Sequence, residues 1–139
     1  MQKESFSMEE TYKIGYEYGK NAKACEVYCL EGDLGVGKTV FAKGFAKGLD
    51  IDDEITSPTF TIVNEYEGRL LFYHFDMYRI EEQDEVLNIG FDDYIFGEGV
   101  CLIEWPKRVS DYLPDNIISI EIFKDLTKGE DYRYIKVTR

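Results

Sequence analysis

The chain has 139 residues, a net charge of −12, and 44% hydrophobic and 15% aromatic residues. That is the profile of one folded domain, here read as 1–139, and it excludes disordered and fibrous classes. No basic stripe of the kind that grips phosphate backbones is visible, so contact with a nucleic acid is expected only through a protein partner, although acidity alone also serves solubility.

The first residues, Met1-Gln2-Lys3-Glu4, carry an acid and lack the apolar core of a signal peptide. No run nears the ~20 apolar residues that span a bilayer. The cysteines, Cys25, Cys29 and Cys101, lack metal-site spacing and are read as small core hydrophobes. A reducing cytoplasm and no membrane contact are the expectations.

Ser7-Met8-Glu9-Glu10 has the spacing of a capping box, which predicts a helix from there to about Lys23. Cys25 to Leu30 reads as a strand, Gly32 to Gly37 as a glycine-rich turn, and Lys38 to Leu49 as a helix. Asp50 to Pro58 is acidic and turn-like. Phe60 to Tyr66 and Leu70 to Phe75 are strand-like around Glu67-Gly68-Arg69, which predicts a hairpin. Glu82 to Ile89 reads as a short helix and Val100 to Ile103 as a buried strand. Ile117 to Phe123 and Tyr132 to Val137 are the last expected strands. The order predicts an α/β fold, with a mixed, mostly parallel sheet flanked by helices and its ligand at the strand C-terminal ends.

Gly32-Asp33-Leu34-Gly35-Val36-Gly37-Lys38-Thr39 matches the phosphate-loop pattern in full, with a strand before it and a helix after it. Glycines let successive amides curl around an anion, and the following helix adds its positive end. Lys38 suits the β- and γ-phosphates, and the Thr39 hydroxyl suits magnesium. Asp33, Leu34, Gly35, Val36, Gly37, Lys38, Thr39 and Val40 are the expected nucleotide contacts. The competing reading is a glycine-rich turn that merely caps a helix.

Such a loop needs an acid on a neighbouring strand. Glu104 ends the Val100–Ile103 run and Asp76 follows Leu70–Phe75, so both are expected to face the phosphate crevice. Lys38, Asp76 and Glu104 are the expected catalytic set, with Thr39, Glu104 and Asp76 on the metal. For each acid the alternative is a surface carboxylate. His74, the single histidine, reads as a hydrogen-bonded structural residue. Trp105, the single tryptophan, is read equally as a pocket wall or as core.

Four signatures stand in order: Leu30 to Thr39, Thr56-Ser57-Pro58-Thr59-Phe60, Tyr73-His74-Phe75-Asp76-Met77-Tyr78-Arg79, and Leu102-Ile103-Glu104-Trp105-Pro106. Together they resemble the bacterial TsaE (YjeE) family over nearly the whole chain. The resemblance implies a small ATPase for threonylcarbamoyladenosine formation on tRNA, binding ATP or ADP with Mg²⁺. It implies TsaD and TsaB as partners, with the acyl transfer belonging to TsaD and tRNA met only through the complex. It further implies a nucleotide-sensing switch loop at Ser57-Pro58-Thr59, with Thr59 and Trp105 beside the nucleotide, and weaker nucleotide contacts at Met8, Thr11 and Arg133. Arg79 is read either as stabilising transition-state charge or as bridging Asp76 or a partner. No clear arginine finger is present, which predicts slow turnover by the isolated chain.

Two other functions fit a phosphate loop. A small-molecule kinase needs a basic lid, and only Arg69 lies between Asp50 and Asp76. A nucleotide sensor without turnover would use the same residues.

Overall fold

The computed structural model describes residues 1–58 and 62–139. Seven strands form one sheet: β1 (Gln2–Ser5), β2 (Val27–Glu31), β3 (Val63–Glu67), β4 (Leu71–Asp76), β5 (Val100–Glu104), β6 (Ile118–Lys124) and β7 (Arg133–Thr138). The spatial order is β1-β7-β6-β2-β5-β4-β3. The centre, β6-β2-β5-β4, is parallel, and both edges are antiparallel. The expected α/β fold with a mixed sheet is therefore present, with parallel pairing confined to the four central strands.

Helix α1 (Met8–Asn21) begins as its sequence requires. Ser7 caps it by accepting from the Glu10 amide at 3.1 Å. The Glu10 carboxylate reaches back to the Phe6 amide rather than to Ser7, a one-residue variant of the expected box. Arg69 closes the far end, donating to the carbonyls of Gly19, Lys20 and Ala22 at 2.7–3.1 Å. Helix α2 (Lys38–Gly48) follows the glycine-rich turn and lies against α1. Gly15 and Gly19 of α1 face Gly44 and Gly48 of α2, and a Cβ added at Gly19 would stand 2.0 Å from the Phe45 carbonyl oxygen. Backbone approach this close admits no side chain.

Strand alternation divides the core between two faces. Leu30, Phe72, Val100, Leu102 and Ile120 pack under α1 and α2. Cys29, Phe75, Cys101 and Ile103 pack on the other face against Val86, Phe91 and Val109. β5 is buried at every position, which explains its unbroken apolar run. The second face is covered by 3₁₀ segments at Gln83–Ile89 and Pro106–Tyr112 and by α3 (Phe91–Ile95).

The predicted hairpin is the β3–β4 pair, although the expected strand start at Phe60 lies outside the described residues. The Glu82–Ile89 helix is 3₁₀, closed by a Glu82/Glu85 capping box. One core assignment fails: Cys29 and Cys101 are buried, but Cys25 is exposed. Cys25 precedes β2 with φ of 70° and its amide donates to the Glu98 and Gly99 carbonyls, so it belongs to a turn rather than to the strand. Among the described residues no helix is long and apolar enough to cross a membrane.

Candidate nucleotide site

β2 has β6 on one side and β5 on the other, so the chain leaves β2 where the strand order reverses. Loops at such a point open onto the crevice beyond the strand ends. Residues 32–37 form that loop. Gly35 and Gly37 have φ of 75° and 104°, angles that other residues adopt only under strain. Gly37 is the N-cap of α2 and provides no side-chain acceptor. The first amides of α2 thus keep their capacity for an anion. Thr39 stands exposed in that first turn, and Asp33, Leu34 and Gly35 are exposed along the loop.

The strand register assembles the charged groups. Asp76 of β4 is paired with Glu104 of β5, and the Met77 amide donates to the Glu104 carbonyl at 3.0 Å. Asp76 and Glu104 have the parity of Phe72, Val100 and Leu102, so both fall on the face that α2 covers. Lys38 is buried, and its Nζ donates to the Gly32 carbonyl at 2.7 Å. Burial pushes the Lys38 ammonium below its ordinary pKa, opposed by the carboxylates of Glu104, Asp76 and Asp33. Burial also raises the Asp76 carboxyl, opposed by the Tyr78 amide bonded to it at 3.0 Å and reinforced by the charge of Glu104. The remaining members are His74, whose Nε2 lies 2.6 Å from Glu104 Oε2, and Trp105, whose ring lies under Lys38 Nζ at 3.8 Å. His74 is thus hydrogen-bonded, as its sequence context suggested. Trp105 is half-buried and also packs on Tyr78, with ring centres 5.0 Å apart.

Met8, Thr11 and Arg133, expected from resemblance, line one cleft with Val40, Gly37 and Asp131, of about 20 Å³. Thr11 is buried with its hydroxyl 2.7 Å from that of Ser5. Arg133 donates through Nε to the Val36 carbonyl at 2.5 Å and through Nη1 to the Glu130 and Tyr132 carbonyls at 2.7 Å. It ties β7 to the phosphate loop. Ser57 and Pro58 are described, whereas Thr59 lies outside the described residues.

Sequence reasoning missed a second wall. A cleft of about 400 Å³ runs beside the loop, lined by Asp33, Val36, Trp105, Lys107, Phe123 and Lys124 among others. Its far side is the C-terminal end of β6. Only the rule that ligands meet strand C-terminal ends could have pointed there.

Comparison with known proteins agrees with this geometry. The family model described as threonylcarbamoyl adenosine biosynthesis protein TsaE matches residues 5–133. Proteins named tRNA threonylcarbamoyladenosine biosynthesis protein TsaE are 46% identical in Bacillus subtilis (94% of this chain, 80% of that one) and 42% identical in Aquifex aeolicus (96% and 92%). The relative from Treponema pallidum is 42% identical, covering 85% of this chain and 87% of its own. The crystal structure of Bacillus subtilis YdiB superposes with a TM-score of 0.79 at 40% identity, over 97% of this chain and 82% of that one. With a P-loop at the crevice and the family matched over nearly its full length, this chain belongs to the TsaE family of P-loop proteins.

Proposed function

We propose that residues 1–139 form one magnesium-dependent P-loop ATPase domain that serves threonylcarbamoyladenosine modification of tRNA in the cytoplasm, slow alone and faster when bound to a TsaD–TsaB pair. The observation that carries the chemistry is the pairing of Asp76 with Glu104 at the ends of adjacent parallel strands, facing the helix that starts at Lys38. The relatives' names carry the pathway.

The donors suit Mg²⁺. Thr39, Glu104 and Asp76 present hard oxygens, and among the described residues no group of three acidic, histidine or cysteine side chains could hold a metal unaided. Mg²⁺ takes one or two protein carboxylates, keeps waters and shares phosphate oxygens, so a site of this kind fits a metal arriving with its nucleotide. Bound there, the ion would neutralise charge between the β- and γ-phosphates.

The chain's own groups do the rest. The amides from Asp33 to Val40 cradle the phosphates, and Lys38 supplies a point charge. Asp76, with its raised pKa, is placed to orient or accept a proton from an attacking water. Met8, Thr11 and Arg133 border the nucleoside, and ATP rather than GTP is the substrate. TsaD carries out acyl transfer while this chain's nucleotide cycle resets the TsaD–TsaB pair, without touching tRNA directly.

A second reading is a sensor that binds ATP without turnover, because binding and hydrolysis would use the same residues. A small-molecule kinase has less support. Magnesium-dependent ATP hydrolysis, measured with and without the TsaD and TsaB proteins of the same organism, separates the three. Slow turnover that rises with the pair supports the ATPase. Tight binding without turnover favours the sensor, and turnover indifferent to the pair favours the kinase.

A further inference from the structure

His74 lies beneath the two acids. It shares their face of the sheet, two residues before Asp76 on β4, and is 1% exposed. Its ring is stacked on Phe72, with centres 6.0 Å apart and planes 9° from parallel, so rotation is opposed by packing. Its Nε2 meets Glu104 Oε2 at 2.6 Å across the β4–β5 boundary, and that carboxylate is itself only 5% exposed. Nδ1 has no partner among the described residues. A buried N–H without an acceptor is costly, whereas a bare lone pair is tolerated better. The hydrogen therefore belongs on Nε2, and the imidazole donates it to Glu104.

We propose that His74 is a positioning residue for magnesium: it anchors one oxygen of Glu104 so that the other is presented, already oriented, to the ion. This rests on the reading of Glu104 as a metal ligand given above. The logic is that of an outer-shell partner. A glutamate on a strand end has three rotatable bonds, and a ligand free to turn must lose that freedom when metal binds. One strong hydrogen bond from a packed ring removes it in advance, and losing such a partner typically weakens a metal by about 10–100-fold.

The test is ADP affinity in the full chain, measured in EDTA and across a magnesium titration, for the parent, His74→Gln, His74→Asn and His74→Leu. Glutamine places an N–H near the position of Nε2, whereas asparagine places it near Nδ1 and leucine supplies none. The expected result is an EDTA affinity within about 2-fold of the parent in every variant, with half-saturating magnesium raised about 10–100-fold in His74→Leu and His74→Asn and largely restored in His74→Gln. If His74→Leu fails to fold, the Gln and Asn pair carries the comparison. A parental magnesium response in Asn and Leu overturns the proposal, as does equal loss of affinity with and without magnesium, which marks a purely structural histidine. A parent that ignores magnesium overturns the metal reading itself, a separate failure.

Discussion

The Lys38 ammonium sits 3.8 Å from the ring centre of Trp105, while the same nitrogen donates to the Gly32 carbonyl at 2.7 Å. Trp105 holds a left-handed backbone, φ 56° and ψ 51°, which for a bulky residue costs on the order of 1–3 kcal/mol. The turn it makes sends the chain from the end of β5 into the 3₁₀ segment and sets the indole beside the loop. A lysine that reaches β- and γ-phosphates must give up part of this cation–π contact, which is worth ~0.5–2 kcal/mol. Because Trp105 is the only tryptophan, its emission should change when Mg·ATP binds. Lys38→Ala should alter the emission of the free protein and abolish the response to ATP. Unchanged emission at saturating nucleotide, with binding confirmed by calorimetry, would refute the contact's place in the binding step.

Lys38 and Glu104 should separate binding from chemistry. Lys38→Ala removes the charge proposed to meet the phosphates and is expected to weaken ATP binding by at least about 10-fold. Glu104→Ala should leave nucleotide affinity in EDTA nearly intact and lower kcat by about 10²-fold or more, the scale for losing a group that acts on developing charge. Parallel measurement of ADP binding and steady-state hydrolysis decides it. Parental hydrolysis in both variants would refute the site.

Arg133 tests the tie between β7 and the phosphate loop. Its Nε bond to the Val36 carbonyl ties β7 to a loop far away in sequence. Arg133→Ala frees that carbonyl and is expected to raise the Kd for ADP by about 5–10-fold, near the net value of one ordinary hydrogen bond. Arg133→Lys should recover little, because one ammonium cannot reproduce the fork that serves three carbonyls. Calorimetry on the three proteins checks both statements.

Much of this was legible in the sequence where local rules act alone. Ser7 and Glu10 announced α1, the glycines announced the loop, and Val100–Ile103 announced β5 because a strand covered on both faces needs no polar alternation. β1 was missed: Gln2–Ser5 is polar, buries only Ser5, and exists because β7 offers it an edge. The 3₁₀ segments and α3 were mostly missed because pieces this short establish no hydrophobic period. In the candidate site, Lys38, Asp76 and Glu104 could be named from the sequence, but the contacts among them could not. Asp76 meets Glu104, and His74 meets Glu104, only because β4 and β5 run parallel in one register. Cys25 failed as a core residue because apolar neighbours in sequence do not reveal that a turn intervenes before β2.

The α1–α2 contact should be intolerant of one methyl group. A Cβ at Gly19 would meet the Phe45 carbonyl oxygen at 2.0 Å, and that atom is backbone. Gly19→Ala gains about 1 kcal/mol in helix propensity, but separating the two helices should cost about 2–3 kcal/mol, leaving a net loss of about 1–2 kcal/mol. Urea unfolding of the nucleotide-free protein reads the difference. Wild-type stability in Gly19→Ala would mean that the helices can slide apart freely.

Asp76 should be a stability liability that function retains. Burial raises its carboxyl pKa above the ordinary 3.8, and the charge of Glu104 adds to this against the Tyr78 amide, His74 and Lys38. With the folded pKa above the unfolded one, the folded protein binds more protons between the two values. Stability from this group is then complete below about pH 3.8 and declines as pH rises through the folded pKa. At pH 7 the ionised Asp76 therefore works against the nucleotide-free fold. Asp76→Asn should stabilise that state only modestly, by less than about 1 kcal/mol, because solvent screens the charge conflict at this half-buried group. The gain should shrink as pH falls through the raised folded pKa, where the aspartate takes up its own proton. The same variant should lose hydrolysis. Urea unfolding at pH 7 and pH 4.5, without nucleotide or metal, tests the sign. A variant less stable than the parent at pH 7 would show that the Tyr78 amide bond outweighs the burial of the charge.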